Sequence, residues 1–340
     1  DGVITMKVAA ITGLQQGTLI EKSDPTPGND IVLVKTRVAP MCTEYHGFRD
    51  GHPSDCLGHE AVGEVVAVQK SSRVKIGDRV IVQPQNACSK CYLCQSGDHI
   101  HCQNQRNVLQ ETGSEAGTAT MAQYLLKPDY LLTPIPDDIS DEHAAMACCG
   151  LGPTFGAMEL LNVDSFDTVL ITGMGPVGLG GVVNARYRGA RVIGVETHPY
   201  RANLAKELGA EAVIDPHDPD AAEQVRALTG GNGADKAIET SGTAVAKTFL
   251  IDAVRRKGSM AFVGWGGQVE ANTIITKGLT IHGAWHYNIH IVPRLLQVIG
   301  ASGAAIDRLI THRLPMDQVQ QAWEIQLRGE CGKIVLYPWR

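Results

Sequence analysis

Four cysteines, Cys88, Cys91, Cys94 and Cys102, stand in the spacing C-x2-C-x2-C-x7-C. Thiolates this close along a chain can close a tetrahedral shell around one soft divalent ion, for which zinc is the usual occupant. A closed four-sulfur shell leaves no position for substrate, so its expected role is structural. His99 and His101 fall inside this run. Because four thiolates already complete the shell, both are expected to be exposed. A second, looser set points to different chemistry. Cys42, His59 and Cys149 are three separated donors, the number an open catalytic zinc takes while keeping a fourth position for water or substrate.

Thr172-Gly173-Met174-Gly175-Pro176-Val177-Gly178 matches G-x-G-x-x-G. Glycines in this pattern permit a tight turn and close approach of backbone to a pyrophosphate, which then faces a helix N-terminus. The motif follows a strand-like run and opens a helix, the context it needs. Gly173, Gly175, Pro176, Val177 and Gly178 are therefore the expected dinucleotide cradle. Glu196 lies 18 residues past Gly178, at the end of the next strand. A carboxylate there accepts from the ribose hydroxyls and repels a 2′-phosphate, which favours NAD over NADP. Arg201 is expected either over the adenine or on a solvated helix face.

The elements that must position these residues fall in two patterns. The first 150 residues carry short β-like runs punctuated by Gly and Pro, among them Ile31–Val38, Ala61–Val68 and Arg79–Pro84, with a turn at Lys75–Asp78. From about residue 152, strand and helix alternate: Thr168–Thr172, a helix to about Arg188, Arg191–Val195, a helix at Tyr200–Leu208, Ala212–Ile214, Lys236–Ile238, Ser259–Val263 and Leu279–Ile281. Such alternation argues for a parallel sheet. The tail after about residue 289 is expected to hold two helices and the strand Lys333–Tyr337, which suggests a return to the first domain. The expected fold class is α/β, with domain segments 1–152, 153–288 and 289–340.

At 340 residues, 44% hydrophobic and 19% charged, the chain has room for two sizeable cores. A net charge of −6 argues against nucleic acid or an anionic membrane as partner. No apolar run reaches the length of a membrane span. Nine cysteines fit metal-binding thiols in a reducing compartment better than a disulfide framework, so a cytoplasmic location is expected. No secretory leader is expected, and Met6 is the expected native start, with residues 1–5 an appended remnant.

With Gly58-His59-Glu60, the four-cysteine run, Gly173-x-Gly175-x-x-Gly178 and Thr311-His312-Arg313-Leu314-Pro315 together, the chain resembles the zinc-dependent medium-chain alcohol dehydrogenases over residues 6–340. The resemblance implies a GroES-like β-rich catalytic domain, completed by the tail, and a Rossmann domain with a doubly wound parallel sheet. It implies one structural and one catalytic zinc, NAD as cofactor, an interdomain catalytic site and a homodimer or homotetramer. One position departs from the family pattern C-G-T-D-x-H: aligning Thr43, Glu44 and His46 puts Met41 where the cysteine belongs and Cys42 at the glycine. Cys42 is the expected first ligand, Cys56 the reserve, and a site lacking this thiolate the remaining alternative. Cys149, six residues before Phe155, matches the family spacing for the third ligand, and Cys148 is expected to be a buried apolar thiol. Glu60 is a further metal-site candidate, either alternating as a ligand or standing behind the ligands.

The implied reaction is reversible oxidation of an alcohol to a carbonyl, with zinc as Lewis acid and hydride transfer to NAD. Thr43 takes the hydroxyl proton, the nicotinamide ribose passes it to His46 near solvent, and Glu44 orients His59. The expected partner is a small alcohol: secondary, polyol or sugar. The alternatives are an amino-alcohol (threonine-type) dehydrogenase and a non-catalytic nucleotide-binding relative without the catalytic zinc. His286 and His290, after Trp285, are expected either at the substrate pocket or on the surface.

Overall fold

In the computed structural model, residues 5–340 are described, and the chain divides into two units. The first comprises Asp1–Cys148, Asn288–Gly300 and Ile310–Arg340; the second comprises Cys149–Tyr287 and Ala301–Leu309. The division thus falls at Cys148, earlier than the expected residue 152, and 301–309 stay with the second unit. Of residues 1–5, only Thr5 lies among the described residues, where it opens the first strand.

The first unit begins with β1 (Thr5–Gly13), β2 (Gln16–Ser23), β3 (Ile31–Pro40), β4 (Ala61–Ala67), β5 (Arg79–Val82), β6 (Tyr124–Pro128) and β7 (Leu132–Pro134). β1 and β2 form an antiparallel hairpin. β3 buries Ile31, Val32, Val34, Thr36 and Val38 while Arg37 stays exposed, and it pairs antiparallel with both β4 and β6. Val32, Val34, Ala61, Val65, Val80, Val82 and Leu125 close one core.

The second unit is built on β8 (Thr168–Thr172), β9 (Arg191–Val195), β10 (Ala212–Ile214), β11 (Ala234–Glu239), β12 (Val254–Phe262) and β13 (Thr280–Gly283). They form one parallel sheet in the order β10-β9-β8-β11-β12-β13. β8 is buried at every residue, as a central strand covered on both faces must be. The order reverses between β8 and β11, and the carboxyl ends of strands at such a reversal are where ligands bind in doubly wound sheets. β12 starts at Val254, ahead of the expected Ser259. Arg255, Arg256 and Lys257 at its start mask the strand pattern, and its register shifts against β11 there.

The tail completes the first unit with β14 (Ile310–Pro315) and β15 (Lys333–Tyr337). β15 lies between β14 and β3, parallel to the former and antiparallel to the latter. The expectation of two tail helices is corrected to three: Val292–Ala301, Gly303–Leu309 and Val319–Arg328. The first two are separated only by Ser302, too short a break to show in a hydrophobic pattern. Met41, Phe48, Leu57, Met121, Trp323, Ile334 and Leu336 meet in a second core that ties the tail to the amino-terminal residues.

Candidate functional site

β3 ends at Pro40, and the next two side chains part. Met41 is fully buried in the core with Phe48 and Trp323. Cys42 instead joins His59, Glu60 and Cys149, whose candidate ligand atoms all lie within 4.8 Å of one another. The tail holds the Cys42 turn: the Met41 N–H donates to the Ile334 carbonyl at 2.9 Å, and Gln326 Nε2 donates to the Cys42 carbonyl at 3.2 Å.

Glu44 joins two members of the set. Its Oε2 accepts from the Cys42 N–H at 2.9 Å, and its Oε1 lies 2.8 Å from His59 Nδ1. With the Nδ1 proton donated to this carboxylate, Nε2 keeps a lone pair for a metal. Gly58, at φ +88°, sets up His59; a Cβ there would lie 2.3 Å from Thr120 Oγ1. Burial disfavours the His59 imidazolium, yet hydrogen bonds with Cys42 and Glu44 outweigh it and hold the ring well above its ordinary value. Glu60, fully buried, is pushed up to about 7 by burial, opposed by Lys333. Two thiols, an imidazole and a carboxylate in this proximity form a donor set suited to zinc.

Thr43 and His46 are exposed, on the turn after Cys42 and in the helix Tyr45–Asp50. Partial burial, then the charge of Arg49, lower the His46 pKa. Cys56 is exposed, 3.1 Å from Thr118 Oγ1, and outside the donor set. Cys148 is buried with its Sγ 3.5 Å from the Val82 carbonyl. His290 is exposed, whereas His286 is half-buried with Nδ1 3.7 Å from Cys149 Sγ.

Cys88, Cys91, Cys94 and Cys102 form the second donor set. Cys88 and Cys94 sulfurs are 4.0 Å apart, and Cys91 and Cys102 sulfurs 3.9 Å. Tetrahedral zinc with bonds of about 2.3 Å would separate its sulfurs by about 3.8 Å. Backbone N–H groups of Cys94 and Gln103 lower Cys91 to about 6, which favours the thiolate. Burial raises Cys94 to about 12, a proton that metal binding would displace. The lobe is also tied down by protein: Arg106 bonds Asp30 at 2.6 and 2.8 Å, its N–H reaches the Asn86 carbonyl, and the Tyr130 hydroxyl donates to the Ala87 carbonyl. His101 is exposed as expected, but His99 is only partly so, its Nδ1 3.4 Å from the Gly97 carbonyl; neither joins the four sulfurs.

In the second unit, β8 runs into the glycine turn and the helix Pro176–Tyr187. A Cβ on Gly178 would lie 1.9 Å from the Gly173 carbonyl, so the turn closes only over glycine. A Cβ on Gly175 would meet nothing within 4 Å, which leaves bare backbone open to an incoming group. Pro176 takes the first helical turn, where its missing N–H costs nothing, and Val177 beside it is half-buried. The Thr240 hydroxyl reaches the Thr172 and Gly173 carbonyls, each at 2.8 Å. Glu196 accepts from Met174 N–H at 2.8 Å and from Thr197 and His198 N–H at 2.9 Å, so it sits against the turn. Arg201 is half-buried with its Nε lacking a hydrogen-bond partner among the described residues, a donor a nucleotide could use. Open turn, helix N-terminus and acid together fit a dinucleotide.

Gln326, Lys333 and the contact of His286 with Cys149 were not legible as parts of a site. Lys333 bonds the buried Glu60 carboxylate at 2.6 Å, yet in the run Lys333–Tyr337 it shows only as the first residue of a strand.

Residues 28–137 match the alcohol dehydrogenase GroES-like domain, and residues 176–301 match the zinc-binding dehydrogenase domain. An L-threonine 3-dehydrogenase of Pyrococcus furiosus is 33% identical over 338 residues, covering 93% of this chain and 94% of that protein. A sorbitol dehydrogenase of Bacillus subtilis is 30% identical over 353 residues, covering 98% of each. Among solved structures, the alcohol dehydrogenase TADH from Thermus sp. ATN1 superposes with a TM-score of 0.89 over 98% of this chain and 99% of that one, at 23% identity, a likeness of fold.

Proposed function

Because the chain belongs to the zinc-dependent medium-chain alcohol dehydrogenase family, we propose that Cys42, His59 and Cys149, with Glu60 beside them, hold the catalytic zinc of an enzyme that oxidises a secondary alcohol or polyol. The protein is an oxidoreductase that interconverts an alcohol and a carbonyl, with zinc and a nicotinamide nucleotide as cofactors. The observation that carries the site assignment is the gathering of those four donors within 4.8 Å.

When bound, zinc polarises the alcohol oxygen and the nucleotide takes up the hydride. The protein's share is orientation and proton handling. Glu44 holds the Cys42 backbone and the His59 ring with one carboxylate. The Thr43 hydroxyl, adjoining Cys42, takes the substrate hydroxyl proton, and the exposed His46 releases it to water. A ring lowered below its ordinary value gives up that proton readily near neutral pH.

A second zinc, structural, belongs to Cys88, Cys91, Cys94 and Cys102. The nucleotide binds the Gly173–Gly178 turn, and Glu196 selects NAD over NADP by accepting from the ribose hydroxyls. Arg201 lies along the adenine side. In this reading the first unit is catalytic, completed by the returning tail, and the second takes the nucleotide. Cysteines grouped at metal-ligand spacing rather than as a disulfide framework support a reducing, cytoplasmic setting. No single helix among the described residues is long and apolar enough to cross a membrane. The expected assembly is a homodimer or homotetramer.

The relatives act, by their names, on threonine and on sorbitol, so both substrate types enter the test. NAD reduction is measured across primary alcohols, secondary alcohols, polyols, sugars and threonine, beside zinc content. Two zincs per chain and turnover of a secondary alcohol or polyol are expected. Cys42→Ser should lose one zinc and nearly all activity, while Cys56→Ser keeps both. Full activity and two zincs in Cys42→Ser would overturn the ligand assignment; turnover of threonine alone would favour the amino-alcohol reading.

A further inference from the structure

Glu239 closes β11, and its side chain has no exposed surface. A carboxylate taken wholly from water needs donors, and this one draws them from the turn that follows it. Its Oε1 accepts from the Ser241 N–H and hydroxyl, each at 2.6 Å, and from the Gly242 N–H at 2.9 Å. Its backbone carbonyl accepts from the Val263 and Gly264 N–H groups at 2.9 and 3.0 Å. One residue thus fastens both loops that leave the carboxyl ends of β11 and β12. The loops meet backbone to backbone: a Cβ on Gly242 would lie 2.3 Å from the Trp265 carbonyl oxygen, and one on Gly264 would lie 2.3 Å from the Gly242 nitrogen.

Glu239 Oε2 has no hydrogen-bond partner among the described residues. Its charge is answered by Lys247, on the helix Ala244–Ala253, whose buried Nζ lies 4.0 Å away. The same Nζ donates to the Gly264 carbonyl at 3.3 Å and to the Gly266 carbonyl. The pair therefore holds the second loop from two sides. The first loop is fastened to the glycine turn. The Thr240 N–H donates to the Thr172 carbonyl at 3.0 Å, and a Cβ on Gly173 would lie 2.9 Å from that of Ser241. Ion pair, loops and glycine turn form one connected arrangement on the ligand side of the sheet, beside the reversal between β8 and β11.

We propose that Glu239 and Lys247 are positioning residues that shape the seat for the nicotinamide half of the nucleotide. Glu196, just past the end of β9, takes the adenosine ribose on one side of the Gly173 turn. A dinucleotide lying across the reversal must then extend its other half over the ends of β11 and β12. The loops there carry Gly242, Gly264, Gly266 and Gly267, so few side chains brace them and their course depends on the buried pair. Both charged side chains are buried and act through the backbone they hold. The inference rests on the assignment of the nucleotide to the Gly173–Gly178 turn.

The test measures, by calorimetry, the binding of NADH and of AMP, which carries only the adenosine end. The parent is compared with Glu239→Gln, which removes the charge at nearly unchanged size, and with Lys247→Met, which removes the ammonium that holds two carbonyls. Melting temperatures are recorded beside the affinities. Both variants are expected to bind NADH about 10-fold more weakly, roughly the loss of one charge-assisted hydrogen bond, and to bind AMP as the parent does. NADH affinity unchanged in both variants, whatever their melting temperatures, would overturn the role of the pair, and so would an equal loss of NADH and AMP. Should Lys247→Met fail to fold, Glu239→Gln decides alone. A parent that binds neither NADH nor AMP would overturn the nucleotide site itself, and the proposal with it.

Discussion

Lys333 Nζ lies 2.6 Å from Glu60 Oε1, and neither side chain has any exposed surface. A buried ion pair gains little over a well-packed apolar pair, but removing one partner strands a charge in a medium that cannot solvate it. Lys333→Met should therefore cost about 3–5 kcal/mol by denaturant unfolding, and adding Glu60→Gln should recover much of that loss. Equal stability of Lys333→Met and the parent would contradict the pairing.

The same carboxyl predicts a pH dependence. Burial lifts Glu60 from its ordinary 4.5 to about 7. Between those values the folded protein holds a proton that the unfolded chain has released, so the stability Glu60 contributes is full below 4.5 and is lost as pH rises through 7. Glu60→Gln cannot titrate and should flatten the stability profile across that window. A profile unchanged by the substitution would show that the group does not titrate there.

How much of this was legible depends on how far apart the partners stand in the chain. The cysteine lobe spans Cys88 to Cys102 and the glycine turn Gly173 to Gly178, so spacing alone exposes both. The Met41–Cys42 question is different. Which of the two faces the donor set is decided by the Ile334 carbonyl and Gln326, far along the chain. Lys333 looks like an ordinary strand start because its partner is 273 residues away. β14 does not read as a strand from its residues, although Thr311–Pro315 belongs to the family motif: its burial is mostly partial and shows no clean alternation.

Glu196 offers a test of nucleotide choice. Hydrogen bonds to a charged acceptor are worth about 1.5–3 kcal/mol. Glu196→Ala should thus raise the KM for NAD roughly 10- to 100-fold with a smaller change in kcat. The KM for NADP should fall, since the carboxylate that repels its phosphate is gone. An unchanged ratio of the two KM values would remove Glu196 from the cofactor site.

The lobe predicts separable metals. Cys91→Ser should lose one zinc and melt at a lower temperature, because structural zinc contributes directly to folding free energy. The zinc beside Cys42 should remain, and Arg106, Tyr130 and Asn288 should keep the lobe attached, with the far-ultraviolet spectrum nearly unchanged. Loss of both metals together would show that the two sites are not independent.

The seating of β15 between β14 and β3 has a consequence for synthesis. At about 5–20 residues per second, a ribosome needs roughly 15–55 s to travel the 273 residues from Glu60 to Lys333. Through that interval the nascent chain carries a β3 edge awaiting its neighbour and a carboxyl awaiting its amine. Open strand edges invite pairing with other chains. Biogenesis of this protein should therefore lean on chaperones until its last strand emerges, and translation stalled before residue 333 should yield aggregates rather than a truncated enzyme.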